Sequence, residues 1–130
     1  MQISTYHLLT DGVKSYFETR SLDFASVAGV GGAAAFPLGD GDVSLVMFTA
    51  GYEREFHHPP APTWALILRG HLEIELGDGE SRTLAGGDVV LFADTAGRGH
   101  KARVVGDEDV VLATVGYPTE LLSAGQSRAG

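Results

Sequence analysis

The sequence predicts one all-β domain, built either as a closed barrel or as a double-sheet jelly roll. Glycine is abundant, with 18 residues in 130, and it is scattered rather than periodic. The glycines separate short runs rich in valine, leucine, isoleucine and phenylalanine, which is typical of strands joined by frequent turns. No stretch shows a convincing helical pattern. A chain of this size fits one domain and buries roughly two thirds of the surface that its unfolded form exposes.

About eight strands are expected, enough to close a barrel or to form two facing sheets. The runs are Val43 to Ala50, Trp64 to Leu68, His71 to Leu76, Val89 to Phe92, Lys101 to Val105 and Val110 to Val115, with further runs at Ser15 to Thr19 and Leu22 to Val27. Small residues from Gly29 to Ala35 predict a flexible loop. We therefore expect one domain over residues 1–122 and a flexible tail over residues 123–130.

Two turns punctuate the second half of the chain. The turn Gly77-Asp78-Gly79 separates the alternating run His71 to Leu76 from Ser81 to Leu84, and this combination predicts a hairpin. A second turn, Gly86 to Asp88, leads into Val89 to Phe92. That run does not alternate, which favours a strand covered on both faces.

Composition excludes several classes of function. The formal charge of −8, from 17 acidic and 9 basic residues, argues against a nucleic-acid or anionic-membrane partner. Without cysteine there is no disulfide, thiolate metal site or cysteine nucleophile, so a metal would need nitrogen and oxygen ligands. The first residues lack the pattern of a secretory signal and no run reaches roughly 18 apolar residues, so a cytoplasmic protein is expected.

The candidate chemical residues are histidines at strand ends. His57 and His58 end a strand that starts near Glu53, and Pro59 and Pro60 stop it. Adjacent side chains on a strand point to opposite faces, so only one of the two histidines is expected to face the interior; the sequence leaves open which. His100 follows the turn-rich stretch 94–99, where it can converge with that histidine in a barrel mouth.

Between Gly51 and Val115 the chain resembles the cupin superfamily. The first cupin motif contains a His-x-His pair and a glutamate and closes on a glycine, for which Gly70 fits. Thr63 then stands where the glutamate would be, and His58, or less well His57, matches part of the histidine pair.

The second cupin motif is matched by Gly87 to Phe92 followed by His100. Ala93 replaces the usual proline and Val104 the asparagine. The resemblance implies a double-stranded β-helix, a jelly-roll barrel whose metal ligands in many members are three histidines and a glutamate.

The resemblance also implies a divalent metal, iron, nickel, manganese or zinc, although this chain offers about two of the four usual ligands. The candidate metal ligands are His57, His58 and His100. Glu53, Glu55, Asp94 or water would complete the shell, since first-row metals combine imidazole with carboxylate.

The same residues suit proton transfer without a metal. His58 and His100 are the candidate acid–base residues because histidine titrates near neutrality, and Asp94 is predicted either to orient His100 or to cap its own turn. The predicted pocket lining comprises Phe48, Tyr52, Thr63, Trp64, Phe92 and Arg98. For the aromatic residues the alternative is plain core. Arg98, with Lys101 and Arg103, either neutralises a substrate anion or forms a solvated edge.

The functional hypothesis is an enzyme for a small oxygenated organic substrate, performing isomerase, cyclase or lyase chemistry. The alternatives are a non-catalytic small-molecule-binding or sensor protein with a vestigial metal site, a metal-dependent dioxygenase, and a purely structural barrel. Serine-hydrolase, phosphate-loop and dinucleotide motifs are absent from the sequence. A homodimer is expected because small antiparallel barrels leave apolar edge strands that association can cover.

Overall fold

A computed structural model describes residues 2–116, and within them the chain is built from strands and turns with no helix. The strands are β1 (Gln2–Thr10), β2 (Ser15–Asp23), β3 (Ala25–Ser26), β4 (Ala34–Ala35), β5 (Val43–Phe48), β6 (Glu53–His57), β7 (Thr63–Arg69), β8 (His71–Glu75), β9 (Ser81–Ala85), β10 (Val89–Phe92), β11 (His100–Val104) and β12 (Val110–Gly116).

Two main sheets face each other. The larger has the order β2-β1-β10-β7-β12-β5, the smaller the order β6-β11-β8-β9, and β3 and β4 form a separate pair. The pairing of β1 with β10 is parallel; every other pairing between the described strands is antiparallel. This confirms the prediction of an all-β jelly roll.

The main core lies between the two sheets and follows from the alternation of side chains along each strand. In β8, Leu72 and Ile74 are buried and Glu73 and Glu75 lie on the other face, as the sequence pattern predicts. The buried members of this core are Leu8, Ala65, Ile67, Leu72, Ile74, Leu76, Leu84, Val90, Ala102, Val104, Val110 and Leu112.

The predicted hairpin is confirmed. Strands β8 and β9 pair antiparallel, and the amide of Leu76 donates to the carbonyl of Glu80 at 2.8 Å. Gly79 has a φ of 91°, which an L side chain rarely adopts.

A second apolar cluster covers the outer face of the larger sheet. The buried residues Leu22, Trp64, Leu91 and Ala93 form it. Phe24, Phe36 and Leu38, from the segment between β2 and β5, pack on them. Strand β10 therefore has apolar neighbours on both faces, which confirms the interpretation of its unbroken apolar run.

The first part of the chain differs from the prediction. Strand β1 was not expected, and β2 runs continuously to Asp23 where two separate strands were predicted. The predicted loop Gly29 to Ala35 contains β4, which pairs with β3. Polar Thr5 and His7 on the buried outer face of β1 obscure the apolar alternation that would mark a strand. The predicted tail, 123–130, lies outside the described residues.

One part of the outer face is uncovered. Edge strand β5 exposes Val43, Leu45 and Met47 by 71, 76 and 58%, and Leu68 of β7 is 54% exposed. Within residues 2–116 no helix is long and apolar enough to cross a membrane.

Candidate functional site

His100 opens β11 and points into the barrel. It shares a face with Ala102 and Val104, both of which belong to the core between the sheets. The side chain is only 5% exposed, and its ring stacks on Phe92 with ring centroids 4.9 Å apart. His100 therefore lies between the two sheets, at the end of β11 where the chain enters the barrel.

A buried carboxylate holds the His100 ring. Asp94 is fully buried, and its Oδ2 accepts a hydrogen bond from His100 Nδ1 at 2.7 Å. The same oxygen accepts from the hydroxyl of Ser15, at the start of β2, at 3.0 Å. Asp94 Oδ1 has no hydrogen-bond partner among the described residues. Because a carboxylate can only accept, the proton of the neutral ring is on Nδ1 and Nε2 is left as an acceptor.

His57 is the histidine that joins His100. The two residues are direct partners in the ladder between β6 and β11, so their side chains project from the same face, with ring centroids 4.7 Å apart. The close approach of the two strands at this point requires glycine at position 99. Gly99 has a φ of 76°, and a Cβ there would overlap the carbonyl group of His57. Gly99 therefore fixes the distance between β6 and the start of β11.

The second imidazole is held in its neutral form. His57 Nδ1 donates to the carbonyl of Glu55 at 2.8 Å, which leaves its Nε2 as an acceptor. Burial lowers the pKa of His57, and the neighbouring His100 and Arg54 lower it further against the opposing effect of the Glu55 bond. The site thus contains two adjacent imidazoles, each with its Nδ1 proton engaged.

His58 does not reach this site. Its side chain is exposed, and its Nδ1 lies 3.1 Å from the carbonyl oxygen of Pro59. The structure answers the question that the sequence left open: His57 faces the interior because it is the residue paired with His100. The catalytic and ligand roles expected for His58 are corrected accordingly.

The residues present do not fit the metal site that the fold suggests. Among residues 2–116 no group of three or more histidine, aspartate or glutamate side chains is placed to hold a metal ion. The predicted set His57, His58 and His100 is not assembled, and Asp94 Oδ2 already accepts two hydrogen bonds. Thr63, in the place of the family's glutamate, donates its hydroxyl to the carbonyl of Ala61.

Three of the predicted pocket aromatics lie elsewhere. Trp64 belongs to the outer cluster and meets the ring of His7 edge-on, because alternation along β7 sends Thr63 and Ala65 to the opposite face. Phe48 and Tyr52 stack on each other with centroids 4.4 Å apart and pack against the main core.

The position of Tyr52 separates this aromatic pair from His100. The carbonyl of Tyr52 accepts from the amide of Val104, which is the end of β11 opposite His100. For Phe48 and Tyr52 the plain-core alternative therefore describes the structure.

A cleft of about 530 Å³ opens at Ser15, which is bonded to Asp94, and at Gly99, which precedes His100. Its lining is formed by three loops, residues 12–15, 77–78 and 97–99. Arg98 lies in this lining, which contains none of the other predicted pocket residues, and its guanidinium sits 4.0 Å from the ring centre of Phe56. Lys101 and Arg103, which were expected near His100, instead form ion pairs with Glu53 and Glu73 on the outer face of the smaller sheet.

Sequence reasoning missed Ser15 and Lys14, which line the cleft. Ser15 reaches Asp94 across a separation of 79 residues, and no local pattern reports a contact of that kind. The orientation of Lys101 and Arg103 had a usable signal. Both occupy positions on β11 that alternate with the inward-facing His100 and Ala102.

Comparison with known proteins supports the fold. No family model and no curated protein matches the sequence. The Schizosaccharomyces pombe Cnp3 cupin domain matches with a TM-score of 0.50 at 17% identity, over 96% of this chain and 88% of that domain.

Two further solved structures match over 58% of this chain. A conserved Streptococcus pyogenes protein of unknown function, SPY1581, has a TM-score of 0.46 at 26% identity over 63% of its own length. Protein NMB1881 from Neisseria meningitidis has a TM-score of 0.44 at 16% identity over 71% of its length. The match to the Cnp3 domain, taken together with the all-β architecture, shows that this chain has the cupin fold.

Proposed function

We propose that the protein binds a small organic molecule at the His100 end of the barrel and transfers a proton to or from it. The observation that carries this proposal is the buried Asp94–His100 hydrogen bond, with the carboxylate fully buried. A carboxylate bonded to Nδ1 fixes the tautomer and the orientation of an imidazole, which leaves Nε2 as the reactive nitrogen.

His57 supports this chemistry as a second proton carrier. Its lowered pKa keeps the ring neutral at pH 7, so it can accept a proton when its neighbour donates one. Two imidazoles whose ring centres are 4.7 Å apart suit a reaction in which one group removes a proton and another returns it. Isomerase, cyclase and lyase reactions all use such steps. The dioxygenase alternative needs a firmly held redox metal, for which residues 2–116 supply too few ligands.

A second candidate is a binding protein without turnover. It is favoured by the way Asp94 Oδ2 accepts from both Ser15 and His100, which ties β2 to the start of β11. This arrangement stabilises the barrel mouth even if no proton is ever transferred.

Hydrogen–deuterium exchange in substrates distinguishes the two candidates. The full chain is incubated in D₂O with a panel of small ketones, 2-oxo acids and 3-oxo acids, and proton NMR follows loss of the signal next to the carbonyl. We expect exchange with at least one compound, slowed about 10²- to 10⁴-fold in His100→Gln. His71→Gln, which changes an exposed histidine on β8, is the matched control. Equal exchange in both variants, or none with any compound, contradicts the proton-transfer proposal.

We also propose that the expected homodimer forms through the uncovered apolar face. Val43, Leu45 and Met47 project from edge strand β5, whose outer side has no strand partner among the described residues. The chain carries a charge of −8, so two copies repel each other least where the surface is uncharged. Burying one such aliphatic side chain is worth about 1.5–3 kcal/mol, and a few of them offset the cost of association.

A further inference from the structure

Two basic residues without ion pairs share one cleft. Among the described lysines and arginines, four form ion pairs: Arg20, Arg82, Lys101 and Arg103. Of the described cations outside that set, Lys14 and Arg98 both line the cleft at Ser15 and Gly99. The cleft contains one carboxylate, Asp78, whose Oδ1 accepts from the amide of Glu80. The lining therefore contains two cations against one carboxylate, and a second carboxylate, Asp11, accepts from the Lys14 amide just outside it.

The Arg98 side chain is held in place before any ligand arrives. Its guanidinium stacks on Phe56, and its amide donates to the carbonyl of Val13. Gly97 and Gly99 flank it with φ values of 74° and 76°, and a Cβ at Gly97 would lie 2.5 Å from the carbonyl oxygen of Val13. A guanidinium stacked on its face keeps its edge free for two parallel hydrogen bonds, the geometry that matches a carboxylate. Little freedom remains to be lost on binding.

The cleft lies one side chain away from the Asp94–His100 pair, since Ser15 stands between them. Ser15 lines the cleft, and its hydroxyl donates to the Asp94 oxygen that holds His100. A volume of about 530 Å³ lies within the range of ligand pockets, which is roughly 300–1,000 Å³. A molecule anchored at Arg98 would therefore lie next to Ser15, which is bonded to the carboxylate that orients His100.

From these observations we infer that the cleft binds the carboxylate of a small organic acid, with Arg98 as the bidentate anchor and Lys14 as the second cation. This inference rests on the proposed function and names its substrate class. The neutral remainder of the ligand contacts the small and polar residues of the cleft. Its carboxylate would form the ion pairs that the described residues do not supply to Lys14 and Arg98.

Titration calorimetry with matched probes tests the inference. Benzoate and succinate are compared with their neutral amides, benzamide and succinamide, on the full chain. We expect both carboxylates to bind at least tenfold more tightly than the amides. Arg98→Gln should weaken carboxylate binding at least tenfold and Lys14→Gln by less. Arg69→Gln removes an exposed arginine of β7 and should leave binding unchanged.

Several outcomes would overturn the inference. The inference fails if the amides bind as tightly as the carboxylates. It also fails if Arg98→Gln binds carboxylates as well as Arg69→Gln does, or if the parent protein binds no carboxylate at millimolar concentrations. Inorganic phosphate that binds as tightly as the carboxylates would show that the cleft selects charge alone, and the assignment to organic acids would fail. Arg98→Lys keeps the positive charge but loses the planar group that donates two parallel hydrogen bonds, so it should weaken carboxylate binding. It provides a second test if Arg98→Gln does not fold.

The experiment also separates this inference from the proposed function. His100→Gln should keep carboxylate binding while losing hydrogen exchange. Exchange of neutral ketones by a protein that binds no carboxylate would overturn the cleft assignment alone. Carboxylate binding without exchange of any compound would overturn proton transfer alone.

Discussion

Acid should destabilise this protein through one buried histidine. His7 of β1 is 6% exposed, and its Nε2 lies 3.0 Å from the hydroxyl of Thr5. That hydroxyl already donates to the carbonyl of Arg20, so it accepts from the Nε2 proton of His7. His7 Nδ1 is buried without a hydrogen-bond partner among the described residues. Protonation would thus create a buried cation with no acceptor for its new N–H group.

The size of the effect follows from the pKa of His7. Burial, assisted by the positive charge of Arg20 and opposed by Glu18, lowers this pKa from 6.5 to about 4. Between these values the unfolded chain binds a proton that the native protein does not, so the free energy of unfolding falls as the pH falls. The complete shift corresponds to about 3 kcal/mol, of which about 2 kcal/mol is lost between pH 7 and pH 5. That is a large fraction of a typical stability of about 5–15 kcal/mol.

Urea denaturation at pH 7 and pH 5 measures this loss. In His7→Gln the fall in the free energy of unfolding should be smaller than in the parent protein by about 2 kcal/mol. His71→Gln removes an exposed histidine and should leave the fall unchanged. If His7→Gln lost as much stability as the parent, or if NMR showed His7 titrating near 6.5, the argument from burial would be refuted.

Three further predictions concern the site, the loop before it and the proposed interface. In an NMR titration His57 should protonate at a pH below 6.5, because burial lowers its pKa from that ordinary value; a midpoint at or above 6.5 would count against its position inside the barrel. Gly99→Ala should lower the free energy of unfolding by more than about 2 kcal/mol, since backbone strain adds to an overlap with the carbonyl group of His57. Gly79→Ala is the control, because open space surrounds that position. It should lower the free energy of unfolding only by the backbone strain of about 1–2 kcal/mol. If the proposed dimer forms through β5, the parent protein should be dimeric in size-exclusion chromatography with light scattering and Leu45→Glu should be monomeric. A Leu45→Glu protein that stays dimeric, or a monomeric parent protein, would exclude this interface.

Local sequence patterns were sufficient where each residue's role depends on its neighbours in the chain. The glycine turn between β8 and β9, the apolar run of β10 and the cupin-like spacing to His100 all follow from alternation, turn chemistry and short-range spacing. The same alternation sends Trp64, Lys101 and Arg103 away from His100, which agrees with the plain-core alternative for Trp64 and the solvated-edge alternative for the two cations.

The rest was decided by tertiary structure. Alternation along the strand required only that one of His57 and His58 face the interior. The register of β6 against β11 selects His57, because that residue is the partner of His100. This register is set by pairing between segments that are distant in the sequence. The contact of Ser15 with Asp94 spans 79 residues, and it exists because the larger sheet brings β2, β1 and β10 together. The sequence by itself determined an all-β jelly roll with His100 directed inward. Which groups surround that imidazole depends on how the strands pair, because strand pairing brings together residues that no local pattern relates.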